Sequence, residues 1–181
     1  MEKGTTRLAS KDDPIYNSGF VISSKKHAPK DLESAYQSIA RNRETTLALT
    51  RMKQAGSTVE YHAVDIRNTD AVTAVLSQVR ATHGPFTGII HGAGVLADRF
   101  IADKTPEQFD SVYDTKVAGL RTLLNALETD PLKHIVLFSS STGRFGRKGQ
   151  VDYAIANEIL NKWAHRESAN RPDCNVVSVN W

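Results

Sequence analysis

A hydroxyl, a phenol and a carboxamide stand at spacings suited to proton transfer. Ser139 and Ser140 close the strand-like run KHIVLFSS, Tyr153 follows thirteen residues after Ser140, and Asn157 comes four later. The stretch VDYAIANEILNKWA reads as a helix, and residues four apart on a helix share a face. Tyr153 and Asn157 therefore point the same way, toward whatever the strand end presents. A phenol titrates near pH ~10, so proton exchange near neutrality needs a positive charge beside it.

Such a charge sits at an unusual position. A helix spanning 106 to 128 carries the apolar stripe Phe109, Val112, Tyr113, Leu120, Leu123 and Leu127, and Lys116 falls within that stripe. A lysine on a core-facing stripe is costly unless its ammonium is paired or used. Two readings stand: a stem that snorkels from the stripe's edge, or an ammonium aimed into a site beside Tyr153. In the second, Ser140 orients a carbonyl oxygen as charge develops on it.

These residues need a scaffold that brings strand ends and helices together. The segment 58–64 reads as a strand and 69–82 as a helix capped by Thr69. Residues 87–91 read as a strand ending in Gly92-Ala93-Gly94. Thr105-Pro106-Glu107-Gln108 is a capping box with proline at the first helical position. Strands at 134–139 and 175–181 bracket a helix over 151–168. This alternation predicts an α/β fold, a Rossmann-like doubly wound sheet that is mostly parallel and incomplete. Ligands of such folds bind beyond the carboxyl ends of the strands. Asp65, Gly92–Gly94 and Ser139–Ser140 all fall at such ends. Upstream, 30–55 reads as a helix stopped by Gly56. Residues 1–29, with GFVIS as their one strand-like fragment, read as a disordered or irregular N-terminal segment. The domain expected to follow covers 30–181.

The 181 residues suffice for one domain with a sizeable core. A net charge of +3, dispersed over the chain, and the lack of a basic–aromatic stripe point away from nucleic acid. No apolar run approaches a membrane span, the polar N-terminus is not a secretory signal, and the lone Cys174 fits a reducing compartment. The expected location is the cytoplasm, with no membrane partner and no metal.

Taken together, GIIHGAGVLADRFI, DTKVAGLRTLLNAL and IVLFSSSTGRFGRKGQVDYAIANEILNKWA resemble the short-chain dehydrogenase/reductases. More narrowly, they resemble the ketoreductase domains of polyketide and polyunsaturated fatty acid synthases. Many short-chain dehydrogenases carry a lysine four after the tyrosine and an asparagine on the preceding long helix. Here the two are exchanged, as in polyketide ketoreductases: Lys116 lies on the helix and Asn157 follows Tyr153. The resemblance covers about residues 56–181. It implies reduction of a β-ketoacyl thioester, bound to an acyl carrier protein, with NADPH as cofactor. Tyr153 would protonate the ketone oxygen, Ser140 hold it, Lys116 lower the phenol pKa, and Asn157 organise the lysine or a relay water. Lys116 and Tyr153 would also contact the cofactor. Asp65 and Ile66 match the family's adenine contact, and Gly92, Ala93 and Gly94 match the turn at its ribose.

Asp98 matches the aspartate of the family's stereochemical motif, with Ala97 in place of the first aspartate. Phe145, eight before Tyr153, stands where the opposite stereochemical class has tryptophan. Both lean toward a (3R)-hydroxy product. Arg144, Arg147 and Lys148 offer either a surface for an acidic carrier protein or solvent-exposed charge. The glycine-rich strand–turn–helix that binds the cofactor pyrophosphate in this family is not found in residues 1–57, and neither is the arginine for the 2′-phosphate. The Gly-Pro loop and substrate lid expected after Trp181 are likewise missing. The chain is thus expected to be a partial ketoreductase, completed by other synthase domains or a complementary segment. The alternative is a non-catalytic remnant or scaffold that keeps the fold without the activity.

Overall fold

The computed structural model describes residues 6–7, 21–22 and 29–181. The chain divides into two compact units, 1–61 and 62–181. In the first, β1 (Thr6–Arg7) pairs antiparallel with β2 (Val21–Ile22), which lies inside the strand-like GFVIS. The other residues expected to be irregular, up to residue 28, lie outside the described residues. Helix α1 runs over Pro29–Gln54. Gly56 ends it as expected: it sits at φ +88°, a conformation that favours glycine, and its N–H reaches the carbonyl of Lys53 at 3.0 Å.

The second unit holds the parallel sheet. Its strands β3 (Gly88–His91), β4 (His134–Phe138) and β5 (Asn175–Val179) run side by side in chain order. Ile89 stands opposite Ile135, and Ile135 opposite Val176. The α/β, Rossmann-like, parallel and incomplete sheet is therefore present, with three strands. The strand expected over 58–64 does not form. Its residues alternate in burial from His62 to Ile66 but make no ladder. Alternation supplies a face; a strand also needs a partner in register, and no described strand pairs with this segment.

Helix α2 (Thr69–His83) is capped by Asn68, whose side chain accepts from the Ala71 N–H at 3.0 Å. Thr69, the expected cap, instead meets the Thr122 hydroxyl at 3.2 Å. The capping box at Thr105 forms as expected and opens α3 (Pro106–Tyr113). The single long helix expected from 106 to 128 is interrupted. Between α3 and α4 (Gly119–Ala126) the backbone widens into a π turn over Asp114–Ala118. The apolar stripe runs through this turn, so hydrophobic spacing gave no sign of it. A short helix, α5 (Ser141–Phe145), follows β4, and α6 (Val151–Asn170) carries the tyrosine.

The core lies between the sheet and α4 and α6. Leu120, Leu124, Leu127, Ile135, Leu137 and Leu160 form its centre, all at 5% exposure or less. One sheet face, with Ile89, His91, Ile135 and Leu137, is buried. Consecutive right-handed crossovers in one direction bank their helices on one side of a sheet. The opposite face shows Ile90 at 75% exposure and Phe138 and Val177 at 40% each. Among the described residues no helix is long and apolar enough to cross a membrane.

Candidate active site

The carboxyl ends of β3 and β4 converge on the π turn and on the first turns of α6. Lys116 belongs to the π turn and is only 4% exposed. Its Nζ donates to the Phe138 carbonyl at 3.1 Å and lies 5.4 Å from the centre of the Tyr153 ring. Burial pushes the Lys116 pKa down from the usual lysine value. The ammonium is thus held at the face of the phenol by one carbonyl, in a water-poor setting that strengthens its field. The Lys116 stem does not reach solvent: the side chain is buried, with its ammonium beside the Tyr153 ring.

Residues that sequence reasoning passed over hold the lysine there. His91 is 2% exposed, and its Nε2 lies 2.9 Å from the Lys116 carbonyl. A carbonyl only accepts, so the proton is on Nε2. Burial pushes the His91 pKa down and the Lys116 charge adds to the effect, against the hydrogen bond to the carbonyl. The imidazole therefore stays neutral. A π turn departs from the regular i−4 ladder, and the carbonyl at its centre accepts from both the Gly119 N–H and His91 Nε2. The signal was legible only as a histidine ending an apolar strand.

The serines divide their work. The Ser139 hydroxyl donates to the Asn157 carbonyl at 3.0 Å, tying the end of β4 to α6. Ser140 caps α5: its Oγ accepts from the Thr142 N–H at 3.2 Å. That bond uses a lone pair and leaves the hydroxyl proton available. Asn157 is fully buried, and its Nδ2 donates to the Tyr153 carbonyl at 2.7 Å. Its Oδ1 is buried without a partner. Such an atom costs ~1–3 kcal/mol when left unpaired and marks a place for a water or ligand group. Gly143 makes this packing possible, because a Cβ there would come within 3.0 Å of the Glu158 nitrogen in α6.

Other predicted residues are placed less uniformly. Gly92-Ala93-Gly94 follows β3 as expected, and a Cβ on Gly94 would meet Lys116 Cε at 3.1 Å. The glycine lets this turn lie against the lysine stem. Asp98 accepts from the Gln150 side chain at 2.8 Å, next to the start of α6. Asp65 is engaged by Arg67 through Nε and Nη2, at 2.7 Å for the shortest contact. These hydrogen bonds hold its pKa down at about 2. Ile66 packs on Gly119, where a Cβ would come within 2.8 Å of its Cγ1. Phe145 is 85% exposed and, with Arg144, lines a groove of about 550 Å³ that also takes in Glu158, Lys162 and His165. None of the four catalytic candidates lines that groove. Among the described residues no group of acidic, histidine or cysteine side chains is arranged to hold a metal.

The buried ammonium, the Gly94 turn laid against it and the orphaned Asn157 oxygen together suit the reactive, nicotinamide–ribose end of a dinucleotide. No described helix starts with a glycine-rich turn that would suit the pyrophosphate.

A stretch of 138 residues is 41% identical to part of a polyunsaturated fatty acid synthase from Thraustochytrium sp., covering 76% of this chain and 5% of that protein. Polyketide synthase PksN of Bacillus subtilis is 32% identical over 78% of this chain and 3% of its own length. The chain thus spans a small fraction of the relatives it matches. Among solved structures, an N-terminal ketoreductase from the macrolactin assembly line superposes with a TM-score of 0.72 at 33% identity, covering 77% of this chain and 29% of the other. A ketoreductase domain from the bacillaene assembly line gives 0.65 at 31% identity, with 87% and 36% covered. The KR domain profile matches residues 20–181, and the chain belongs to that family, the ketoreductase domains of the short-chain dehydrogenase/reductases.

Proposed function

We propose that this chain carries the catalytic residues of an NADPH-dependent β-ketoacyl reductase, acting on a carrier-protein-bound thioester within a multidomain synthase. The family is one of nicotinamide-dependent oxidoreductases that work in polyketide and polyunsaturated fatty acid synthesis. The observation that carries the reading is the Lys116 ammonium buried against the Tyr153 ring, 5.4 Å from its centre, with the unpaired Asn157 oxygen one helical turn on.

When bound, the nicotinamide cofactor supplies a hydride to the ketone carbon. The chain supplies the rest. Lys116, Tyr153 and the Gly92–Gly94 turn would hold the nicotinamide ribose, and Asp65 and Ile66 would take the adenine. Ser140 donates a hydrogen bond from its hydroxyl to the ketone oxygen and fixes its position. Negative charge grows on that oxygen, and Tyr153 gives it the phenolic proton. The Lys116 ammonium favours the resulting phenolate, since opposite charge nearby stabilises the ionised form. Asn157 Oδ1 accepts from a water that returns the proton. Asp98, tied to Gln150, shapes the entry of the acyl chain toward a (3R)-hydroxy product. The exposed Phe145 and the basic Arg144, Arg147 and Lys148 face the carrier side.

The test is NADPH oxidation with a β-ketoacyl N-acetylcysteamine thioester, comparing the chain with Tyr153→Phe. Turnover that falls by about two to four orders of magnitude in the variant supports the reading. A folded chain that binds no NADPH overturns it, leaving a scaffold of the same ancestry. Turnover undiminished in Tyr153→Phe would reject the assigned proton donor.

A further inference from the structure

One ion pair beside the site is almost wholly buried and has no part in the chemistry above. Lys104 Nζ lies 2.6 Å from Asp152 Oδ2, and the two side chains are 4% and 2% exposed. The same ammonium donates to the Ala97 carbonyl at 2.6 Å, drawing the two ends of the segment 97–104 together. The other carboxylate oxygen of Asp152 accepts the Tyr153 N–H at 2.9 Å. One carboxylate thus grips the loop with one oxygen and the backbone of the proposed proton donor with the other.

Further rungs run parallel to it. Gln150, 4% exposed, donates to Asp98 at 2.8 Å. The Arg99 N–H donates to the Gly149 carbonyl at 2.9 Å. Lys148 Nζ stands 4.9 Å above the Phe100 ring. Every rung joins the segment 97–104 to the segment 148–153. A buried ion pair contributes little net stability compared with apolar residues of the same volume. Directional bonds in a dry setting do fix geometry, and a catalytic group misplaced by ~1 Å loses about a hundredfold in rate.

We propose that Lys104 and Asp152 form a positioning clamp that sets the loop bearing Asp98 relative to Tyr153. The pair thereby determines which face of the carbonyl is presented and the stereochemistry of the hydroxy product. The proposal rests on the ketoreductase reading for its product and on the geometry alone for the coupling between the two segments. Neither clamp residue touches the reacting atoms; both act through Asp98 and Tyr153.

The experiment compares the full chain with Lys104→Met and with Lys104→Met/Asp152→Asn. The double variant leaves no unpaired buried charge and is expected to fold even where the single one does not. Amide hydrogen exchange is read at 97–104 and at Tyr153, with 134–138 as an internal reference. Exchange at both segments is expected to quicken together, on the order of a hundredfold, while the reference stays unchanged. With NADPH and a β-ketoacyl thioester, the 3R to 3S product ratio is expected to fall by about tenfold or more, with kcat lowered more than KM is raised. Loop exchange that quickens without Tyr153, or a folded variant with an unchanged product ratio, overturns the clamp. If the unaltered chain gives no turnover while exchange at the two segments stays coupled, the ketoreductase reading fails and the clamp stands. An unaltered product ratio in active variants removes the clamp and leaves the ketoreductase reading intact.

Discussion

The two ends of the parallel sheet both bury charge, and they treat it differently. At the amino end, Arg80 of α2 forks onto Asp130 just before β4, with side chains 33% and 3% exposed. Arg80 also donates to the Ala126 carbonyl, and Asp130 accepts the Phe86 N–H. The hydrogen bonds from Arg80 hold the Asp130 pKa below the usual carboxylate range. At the carboxyl end, Lys116 has one carbonyl for its ammonium, and Asn157 Oδ1 has no partner at all. The satisfied cluster staples α2 and α4 to the start of β3 and β4. The unsatisfied one keeps bonding capacity in reserve for a reactant. Completeness of hydrogen bonding, more than the amount of buried charge, separates a structural cluster from a chemical one.

The largest contrast comes from Lys116→Met. The variant is expected to lose about two to four orders of magnitude in turnover. Its urea midpoint should be unchanged or raised, because a buried and poorly satisfied ammonium is removed. A destabilised Lys116→Met would make the two ends alike and break the comparison. Asp130→Ala is expected to do the reverse. It leaves the Phe86 N–H unmatched and removes the carboxylate from Arg80, which keeps the Ala126 carbonyl, lowering stability by about 1–3 kcal/mol with little change in kcat; urea unfolding and the reductase assay check the two halves.

His91 connects the two behaviours. Its pKa is lowered by burial, so the unfolded chain binds its proton more readily than the folded one. Stability rises with pH wherever that holds. The contribution of His91 is therefore fully present above pH ~6.5 and is lost as pH falls through the lowered folded value. His91→Ala should cost about 0.5–1.5 kcal/mol at pH 7 by removing one of the two donors to the Lys116 carbonyl, the Gly119 N–H being the other, and should flatten the stability profile between pH 7 and 5. Denaturation midpoints measured across that range sharpen the comparison.

Smaller effects test the packing. Gly143→Ala pushes a methyl to 3.0 Å from the α6 backbone. It is expected to cost about 1–3 kcal/mol and to shift Ser140 and Tyr153 apart, visible as a fall in kcat. Phe145→Ala, at a side chain 85% exposed, should stay within about 0.5 kcal/mol in thermal unfolding.

Much of this protein was legible one segment at a time. Hydrophobic periodicity located the helices over 30–55, 69–82 and 151–168 and the strands that became β3, β4 and β5, because helix and strand periods are properties of short stretches. The capping box at Thr105 and the stop at Gly56 are equally local. The candidate catalytic set Lys116, Ser140, Tyr153 and Asn157 was legible from residue types and spacing. The structure brings Lys116 to the Tyr153 ring and Asn157 to the Tyr153 carbonyl, with Ser140 just beyond β4 as the cap of α5.

What the sequence could not determine by itself depended on partners far along the chain. The segment 58–64 had the alternation of a strand, yet pairing needs an edge, and the edge is a matter of the whole sheet. The π turn at Asp114–Ala118 kept the apolar stripe unbroken, so only backbone geometry revealed it. His91 at the Lys116 carbonyl joins residues twenty-five positions apart, and Lys104 with Asp152 joins residues forty-eight apart. Local pattern fixes which side chains turn inward. Which buried polar groups then find one another, and which are left open for a ligand, is settled only when the strands and helices pack.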